Sequence, residues 1–392
     1  MKQNQLVDSS VLHSPVLLGA LAFGMLNFLL PVYARHLNFT ALEIGGLFSI
    51  LAATTMLIRP FVGWGMDRLG RKRFFVMSLA IRALAWGVFA MAASLPVLYT
   101  ASLAQGIAAS LMWTSAYTIA TDLASDDERG RSVARVDAAA AQGALYGTFP
   151  GFFLVSVLPL PAAWQVMFAL FAVLALVGVW LAHRQVPETQ TSITSSSSPP
   201  HTVSANLLKL MVIVFITGIA SSILSPIWLI FLQDKFSAGT MTLALAYLPA
   251  ALIYSFLPVR LGWLSDKVGR APLMALGLIG SGIVSLLLPG LNALVALIAL
   301  WTLEAVGLVM ATPAEEALVA DLTDRNVRGT SYGLYTLAVG LGASIGPLLG
   351  GWLYDTAGHA APFYLNAAVL FVCATLTLVL FGRFKSGRPI SN

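Results

Sequence analysis

Residues 63–71 read GWGMDRLGR, a break of glycine and charge between two long apolar runs, and GWLSDKVGR follows at residues 262–270. Gly63, Trp64, Asp67, Gly70 and Arg71 match Gly262, Trp263, Asp266, Gly269 and Arg270 at an offset of 199 residues, about half the chain. The register holds beyond the motif. Asp122 pairs with Asp321, Arg129-Gly130 with Arg328-Gly329, and Gly143, Gly147 and Gly151 with Gly342, Gly346 and Gly350. One glycine match means little in a chain with 33 glycines, but charged and glycine positions kept in step from residue 63 to 151 identify two related halves.

The chain is 58% hydrophobic and 10% charged, against about 25% charged in an ordinary soluble domain. That is too little charge to cover a water-soluble protein of this length. The apolar residues come in runs of about twenty, enough to cross a hydrocarbon core of about 30 Å as helices. Twelve spans are expected, at roughly 15–34, 42–63, 74–94, 97–121, 136–157, 163–182, 208–231, 241–262, 271–290, 293–317, 331–353 and 362–382. Helices satisfy their own backbone groups in lipid, and the runs lack the short alternating segments of a β-barrel. The expected fold class is an all-α integral membrane protein, its twelve transmembrane helices forming two pseudo-symmetric six-helix bundles. Residues 186–206, VPETQTSITSSSSPPHTVSAN, read as a flexible cytoplasmic linker between bundles at 1–185 and 207–392.

The net charge of +5 reflects topology rather than nucleic-acid binding. With the N-terminus inside, the even-numbered connections carry Arg68, Arg71, Lys72, Arg73, Arg129, Arg131, Arg184, Lys267, Arg270, Arg325 and Arg328; the odd ones carry only Arg35 and Lys235. The positive-inside tendency then places both termini in the cytoplasm of a protein of the cell (inner) membrane. The N-terminal run lacks a small-residue cleavage site and reads as the first span. The single cysteine, Cys373, excludes an internal disulfide. Asn38-Phe39-Thr40 fits a glycosylation sequon too close to the membrane to carry weight. The five histidines are isolated, and no metal-ligand cluster, phosphate-cradling loop or nucleophile–base arrangement is visible, so neither an enzyme nor a resident cofactor is expected.

The loop GWGMDRLGRKR resembles the signature loop of the major facilitator superfamily, G-x-x-x-D-R-x-G-R-[KR]. The degenerate second copy, twelve spans and a central linker agree with it, and the resemblance covers essentially the whole chain. Within the superfamily, GASIGPLLGG at residues 342–351 and the general layout are most similar to bacterial drug-efflux and related small-solute exporters.

In the motif, Gly63 and Gly70 let the chain leave one helix and turn tightly into the next. Asp67 suits a helix N-terminus, where orphan N–H groups and the dipole favour an anion. Arg71 offers a bidentate fork to a carboxylate, and Asp122 is its obvious partner. The resemblance implies a cytoplasmic gate that locks the halves when the protein faces outward. Its members are Gly63, Asp67, Arg68, Gly70, Arg71 and Asp122, with a weaker copy in Gly262, Asp266, Gly269, Arg270 and Asp321. The plainer alternative is charges that only enforce topology. The resemblance also puts the glycine triplets, at small-xxx-small spacing, on helices lining the interface between halves; ordinary close packing is the other reading.

A charge at mid-bilayer costs roughly 2.5–3.5 kcal/mol on insertion scales. Glu304 falls near the middle of span ten. Glu315, eleven residues on, returns to within about 20° of the same face, making an acidic stripe about 16 Å long. Desolvation disfavours the ionised form of a carboxyl group, the property a proton-coupled carrier needs; a protonated Glu304 bonded between helices is the alternative. Asn27, Arg82, Gln105, Trp113, Gln142, Trp228, Trp301 and Asn366 lie at plausible depth for a substrate cavity, and the resemblance implies that spans one, four, seven and ten line it. Arg82 is expected to pair with an acid or to snorkel, whereas Trp86, Trp164, Trp180 and Trp352 read as membrane-interface aromatics. Two positions depart from drug–proton antiporters: Ser102 replaces the arginine three residues before Gln105-Gly106, and Thr148 replaces a proline after Gly147. The expected function is alternating-access export of small amphipathic or drug-like solutes, driven by the proton gradient. Symport, uniport and a non-transporting membrane sensor remain alternatives. The expected partners are a small-molecule substrate and the lipid bilayer, and the expected state is a monomer.

Overall fold

The computed structural model describes residues 9–125, 128–189, 204–257, 264, 267–323 and 328–382. Among them the chain forms twelve α-helices and no strand. The first six are α1 (His13–His36), α2 (Ala41–Leu69), α3 (Arg71–Met91), α4 (Leu95–Leu123), α5 (Arg129–Val157) and α6 (Leu160–Gln185). The second six are α7 (Ala205–Phe236), α8 (Thr240–Phe256), α9 (Arg270–Leu287), α10 (Leu294–Asp321), α11 (Arg328–Thr356) and α12 (Ala361–Phe381). Ten of them are long and apolar enough to cross a membrane; α8 is a shorter apolar helix, and α5 opens on Arg129, Arg131, Arg135 and Asp137.

Two compact units result: Met1–Phe39 with Ile50–Ser196, and Thr40–Ser49 with Ser197–Asn392. The first turns of α2 thus belong to the second unit.

In the first unit, α5 lies directly on α1. A methyl group added at Gly143 or Gly147 would run into the carbonyl oxygens of Leu17 and Leu21, and one at Gly151 would meet the Met25 side chain at 2.6 Å. In the second unit α11 lies on α7 in the same way, with Gly342, Gly346 and Gly350 against the carbonyls of Phe215, Ile219 and Ile223. Small residues let helix backbones approach where lipid offers no hydrophobic drive to pack. Each described triplet contact is therefore close packing inside one unit.

Trp86 and Trp164 do not present their rings to the surface, as interfacial aromatics would. Both are fully buried in the first unit. Trp164 stacks on Tyr33 at 4.1 Å, donates its indole N–H to the Phe89 carbonyl at 2.6 Å, and joins Phe168 and Phe89 in an aromatic cluster that includes Trp86. The indole N–H has an internal acceptor, so the ring needs no interfacial water. Trp180 and Trp352 are exposed, in keeping with the interfacial reading.

Replacing Gly147 with Val should lower the thermal midpoint in detergent by the equivalent of about 1–3 kcal/mol or more, the usual effect of overpacking. Gly87→Val, where nothing lies within 4 Å of the new Cβ, should shift it far less. Equal shifts would contradict the α1–α5 packing.

Candidate functional site

The second unit encloses a cavity of about 480 Å³ among α7, α8, α9, α10 and α11. Successive turns of α10 place Trp301, Glu304, Leu308, Ala311, Thr312 and Glu315 on its wall. Opposite them stand Thr217, Ser221 and Ser225 of α7, Tyr247 and Tyr254 of α8, and Tyr335 of α11. Among the described residues no lysine or arginine lines it. The polar surface is therefore hydroxyl and carboxyl, and the remainder is aliphatic or aromatic.

Glycine brings α9 close behind α10: a methyl at Gly277 would strike the Gly307 carbonyl, and Ser281 donates to the carbonyl oxygen of Glu304 at 3.1 Å. That bond holds the backbone, not the carboxyl. The Glu304 side chain is 2% exposed, and its Oε2 atom makes no hydrogen bond among the described residues. Glu315 is better supported, because Thr217 lies 3.1 Å from its Oε2. The two carboxyls share one wall of one cavity but differ in how fully they are satisfied.

The other cavity candidates divide. Trp301 lines the cavity, whereas Trp228 is buried behind it, stacked ring on ring at 4.4 Å. Asn366 also lies off the cavity, buried and donating to Ser285 at 2.9 Å between α12 and α9. The remaining five belong to the first unit. Arg82 is 2% exposed and donates to the Gly19 carbonyl at 2.9 Å, so it neither snorkels nor pairs with an acid among the described residues. Gln105 is fully buried, and both amide atoms lack partners there. Asn27 bonds the Phe23 carbonyl at 3.2 Å, Trp113 stacks on Tyr117 at 5.6 Å, and Gln142 is exposed.

The charged turn lies at the other end of the chemistry. Arg71 pairs with Asp122 in the first unit, and Arg270 with Asp321 in the second. Gly70 and Gly269 immediately precede α3 and α9 with φ of 98° and 99°, a conformation that side-chain-bearing residues rarely adopt. The same bend is thus made twice. Gly63 takes no part in it: it lies inside α2, which continues to Leu69, and Gly65 is the glycine that presses on the neighbouring Phe74. Arg68 lies 4.2 Å from the ring centre of Trp64 one turn back, and Asp67 is exposed in the last turn of α2. Gly262 and Asp266 fall outside the described residues.

The acid that caps α3 comes from a segment read only as linker. Glu188 Oε1 accepts the Arg71 backbone N–H at 2.8 Å, and Thr189 donates to Asp122 Oδ2 at 2.8 Å. Serine- and proline-rich composition says nothing of such contacts; the one available signal was an acid just beyond an apolar helix. Tyr335, Thr217 and Tyr247 were likewise missed, because a hydroxyl on a mostly apolar helix does not announce which face it occupies. Among the described residues no group of three His, Cys, Asp or Glu side chains comes together to hold a metal.

The sequence profile described as Major Facilitator Superfamily matches residues 16–209 and again 210–391. The chain belongs to the major facilitator superfamily. As a member of that superfamily it is a multi-pass membrane transporter and not an enzyme. Multidrug resistance protein 2 of Bacillus subtilis (strain 168) is 22% identical over 383 residues, 94% of each chain. The class E tetracycline resistance protein of Escherichia coli is 24% identical over 395 residues, 96% of each. A crystal structure of a bacterial homologue of the human lysosomal transporter Spinster, inward-facing and occupied, superposes with a TM-score of 0.77 at 15% identity, covering 97% of this superfamily member and 96% of that chain.

Glu188→Ala should cost about 1 kcal/mol, the usual value of a helix cap. Gly70→Ala should cost about 1–3 kcal/mol because it forces a strained backbone and also brings a methyl within 2.5 Å of Glu188 Oε2. Thermal midpoints of the purified protein rank the two; an unchanged midpoint for Gly70→Ala would contradict the turn geometry.

Proposed function

We propose that this transporter exports small amphipathic, drug-like solutes across the cell (inner) membrane by proton-coupled alternating access, with both termini in the cytoplasm. The observation that carries the reading is Glu304, which lines a cavity with no basic side chain among the described residues and whose buried Oε2 atom has no hydrogen-bond partner there. A buried carboxylate without a counter-charge is costly. A proton removes that cost, and so does the cationic group of a bound solute; the two therefore compete for one site, which is the requirement of exchange. Trp301, Tyr254 and Tyr247 supply flat apolar walls to the same cavity, suited to an amphipathic body. Relatives named for multidrug and tetracycline resistance support the outward direction.

Arg71–Asp122 and Arg270–Asp321 act in this reading as cytoplasmic gate contacts rather than as substrate contacts. Arg71→Ala should cut flux by at least tenfold while the protein remains inserted and folded. Wild-type flux from that variant would reduce the pair to a topology signal.

For coupling, Glu304→Gln should mimic the protonated form, keep the packing and abolish accumulation driven by a pH gradient in proteoliposomes. Ethidium serves as the fluorescent cationic probe. Its binding to the wild type should tighten as pH rises, since fewer protons compete, and the Gln variant should lose that dependence. Glu315→Gln, whose carboxyl already has a hydroxyl partner, should have the smaller effect. Accumulation against a gradient by Glu304→Gln would move the proton site elsewhere and bring uniport forward.

A further inference from the structure

The start of α2 is held by a residue on α11, 314 positions away in sequence. Helix N-termini leave orphan N–H groups, and here each finds an acceptor. Thr40 and Glu43 form a reciprocal capping box: Glu43 Oε2 accepts the Thr40 N–H at 2.8 Å, and Thr40 Oγ1 accepts the Glu43 N–H at 3.2 Å. The two N–H groups between them, of Ala41 and Leu42, go to Asp355 Oδ1 and Oδ2 at 3.2 and 2.7 Å. The contact continues down both helices. A methyl at Gly351 would collide with the Ala41 carbonyl, a methyl at Gly45 would collide with the Pro347 carbonyl, and the Leu348 N–H reaches Ser49 Oγ at 3.1 Å. Tyr354, next to Asp355, is itself fixed by donating to Asp234 of α7 at 3.0 Å.

The internal repeat shows that this arrangement is not something the fold demands. At the 199-residue offset, Thr40 corresponds to Gly239 and Asp355 to Ser156. The N-cap of α8 is Gly239 and carries no side-chain cap, while Ser156 donates to the Phe153 carbonyl of its own helix. The fold therefore completes one helix of this kind without an imported carboxylate and adds one to the other. Moreover, the repeat assigns α2 to the first six helices, yet Thr40–Ser49, its cap and first nine residues, packs in the second unit.

We propose that Asp355 is a positioning residue of the transport cycle: an anionic latch that keeps the start of α2 on α11 in this state and releases it in the opposite one. The proposal rests on the alternating-access reading but not on any identity of the solute. It places a carboxylate–helix latch at the end of α2 opposite the Gly70–Arg71 turn.

The test uses the full chain in proteoliposomes, with Cys373→Ala and a reporter cysteine at Ala41, which is fully buried against α11. The readout is the rate of labelling by a membrane-impermeant maleimide. Asp355→Ala should raise that rate about tenfold, the equilibrium effect of losing a charged cap; Asp355→Asn, which keeps one acceptor, should raise it less. Arg71→Ala, which loosens the opposite end, should lower it, and the double variant should return towards the starting rate. Opposed and offsetting effects are what a two-state latch produces and simple fraying does not. Labelling that rises with Asp355→Ala but ignores Arg71→Ala, or that rises equally with Thr40→Ala, would overturn the latch and leave a local cap. Normal labelling behaviour without flux of ethidium in either direction would instead count against the proposed substrate class.

Discussion

A bilayer core offers no water to a backbone N–H or carbonyl, and every other feature of this protein follows from that shortage. It forces helices, and then constrains how they touch. Lipid tails are as apolar as leucine, so hydrophobicity alone does not draw helix to helix; close backbone contact does. The glycines of α5 lie on the carbonyls of α1, and those of α11 on the carbonyls of α7. Where a helix is interrupted the same accounting applies. Pro347 lies inside α11, and the next N–H, of Leu348, is met by Ser49.

Many polar side chains obey the rule, and several buried ones do not. Arg71 and Arg270 meet Asp122 and Asp321, Asn366 meets Ser285, and even the buried Arg82 finds a carbonyl. Gln105 and Glu304 keep atoms without a partner among the described residues; of the two, Glu304 is titratable and lines the cavity. On the proposed reading, the unmet hydrogen bond on this titratable group is where proton and solute compete.

Much of this could be read from the residues alone, and the boundary of legibility has a physical cause. Periodic apolar runs and the 199-residue repeat specify helices and halves, because bilayer thickness and duplication leave marks along the chain itself. Arg71 with Asp122 was legible for the same reason: two opposite charges at the same membrane end have few other partners. Glu304 and Glu315 stood out because ionisable groups in spans are rare. The failures were of direction and of distance. Trp86 and Trp164 look like any tryptophan near a span end until the Phe89 carbonyl appears beside the indole of Trp164. Trp228 and Asn366 were expected on the cavity wall and are buried off it. Glu188 and Asp355 act on residues more than a hundred positions away, and no local pattern encodes such a pairing.

The confinement of acids to one repeat has a thermodynamic consequence. At the positions matching Glu304 and Glu315 the first half has Gln105 and Ala116, neither of which holds a proton. On the proposed coupling, the gearing of the machine is then set by two carboxyls at most. Each proton exchanged multiplies the sustainable solute ratio by roughly ten per unit of pH difference, so the ceiling for a one-unit gradient lies between about tenfold and a hundredfold. Acids in both halves would gear the same fold to pump against steeper gradients while spending more protons on each molecule. Acids in one half favour economy over pressure.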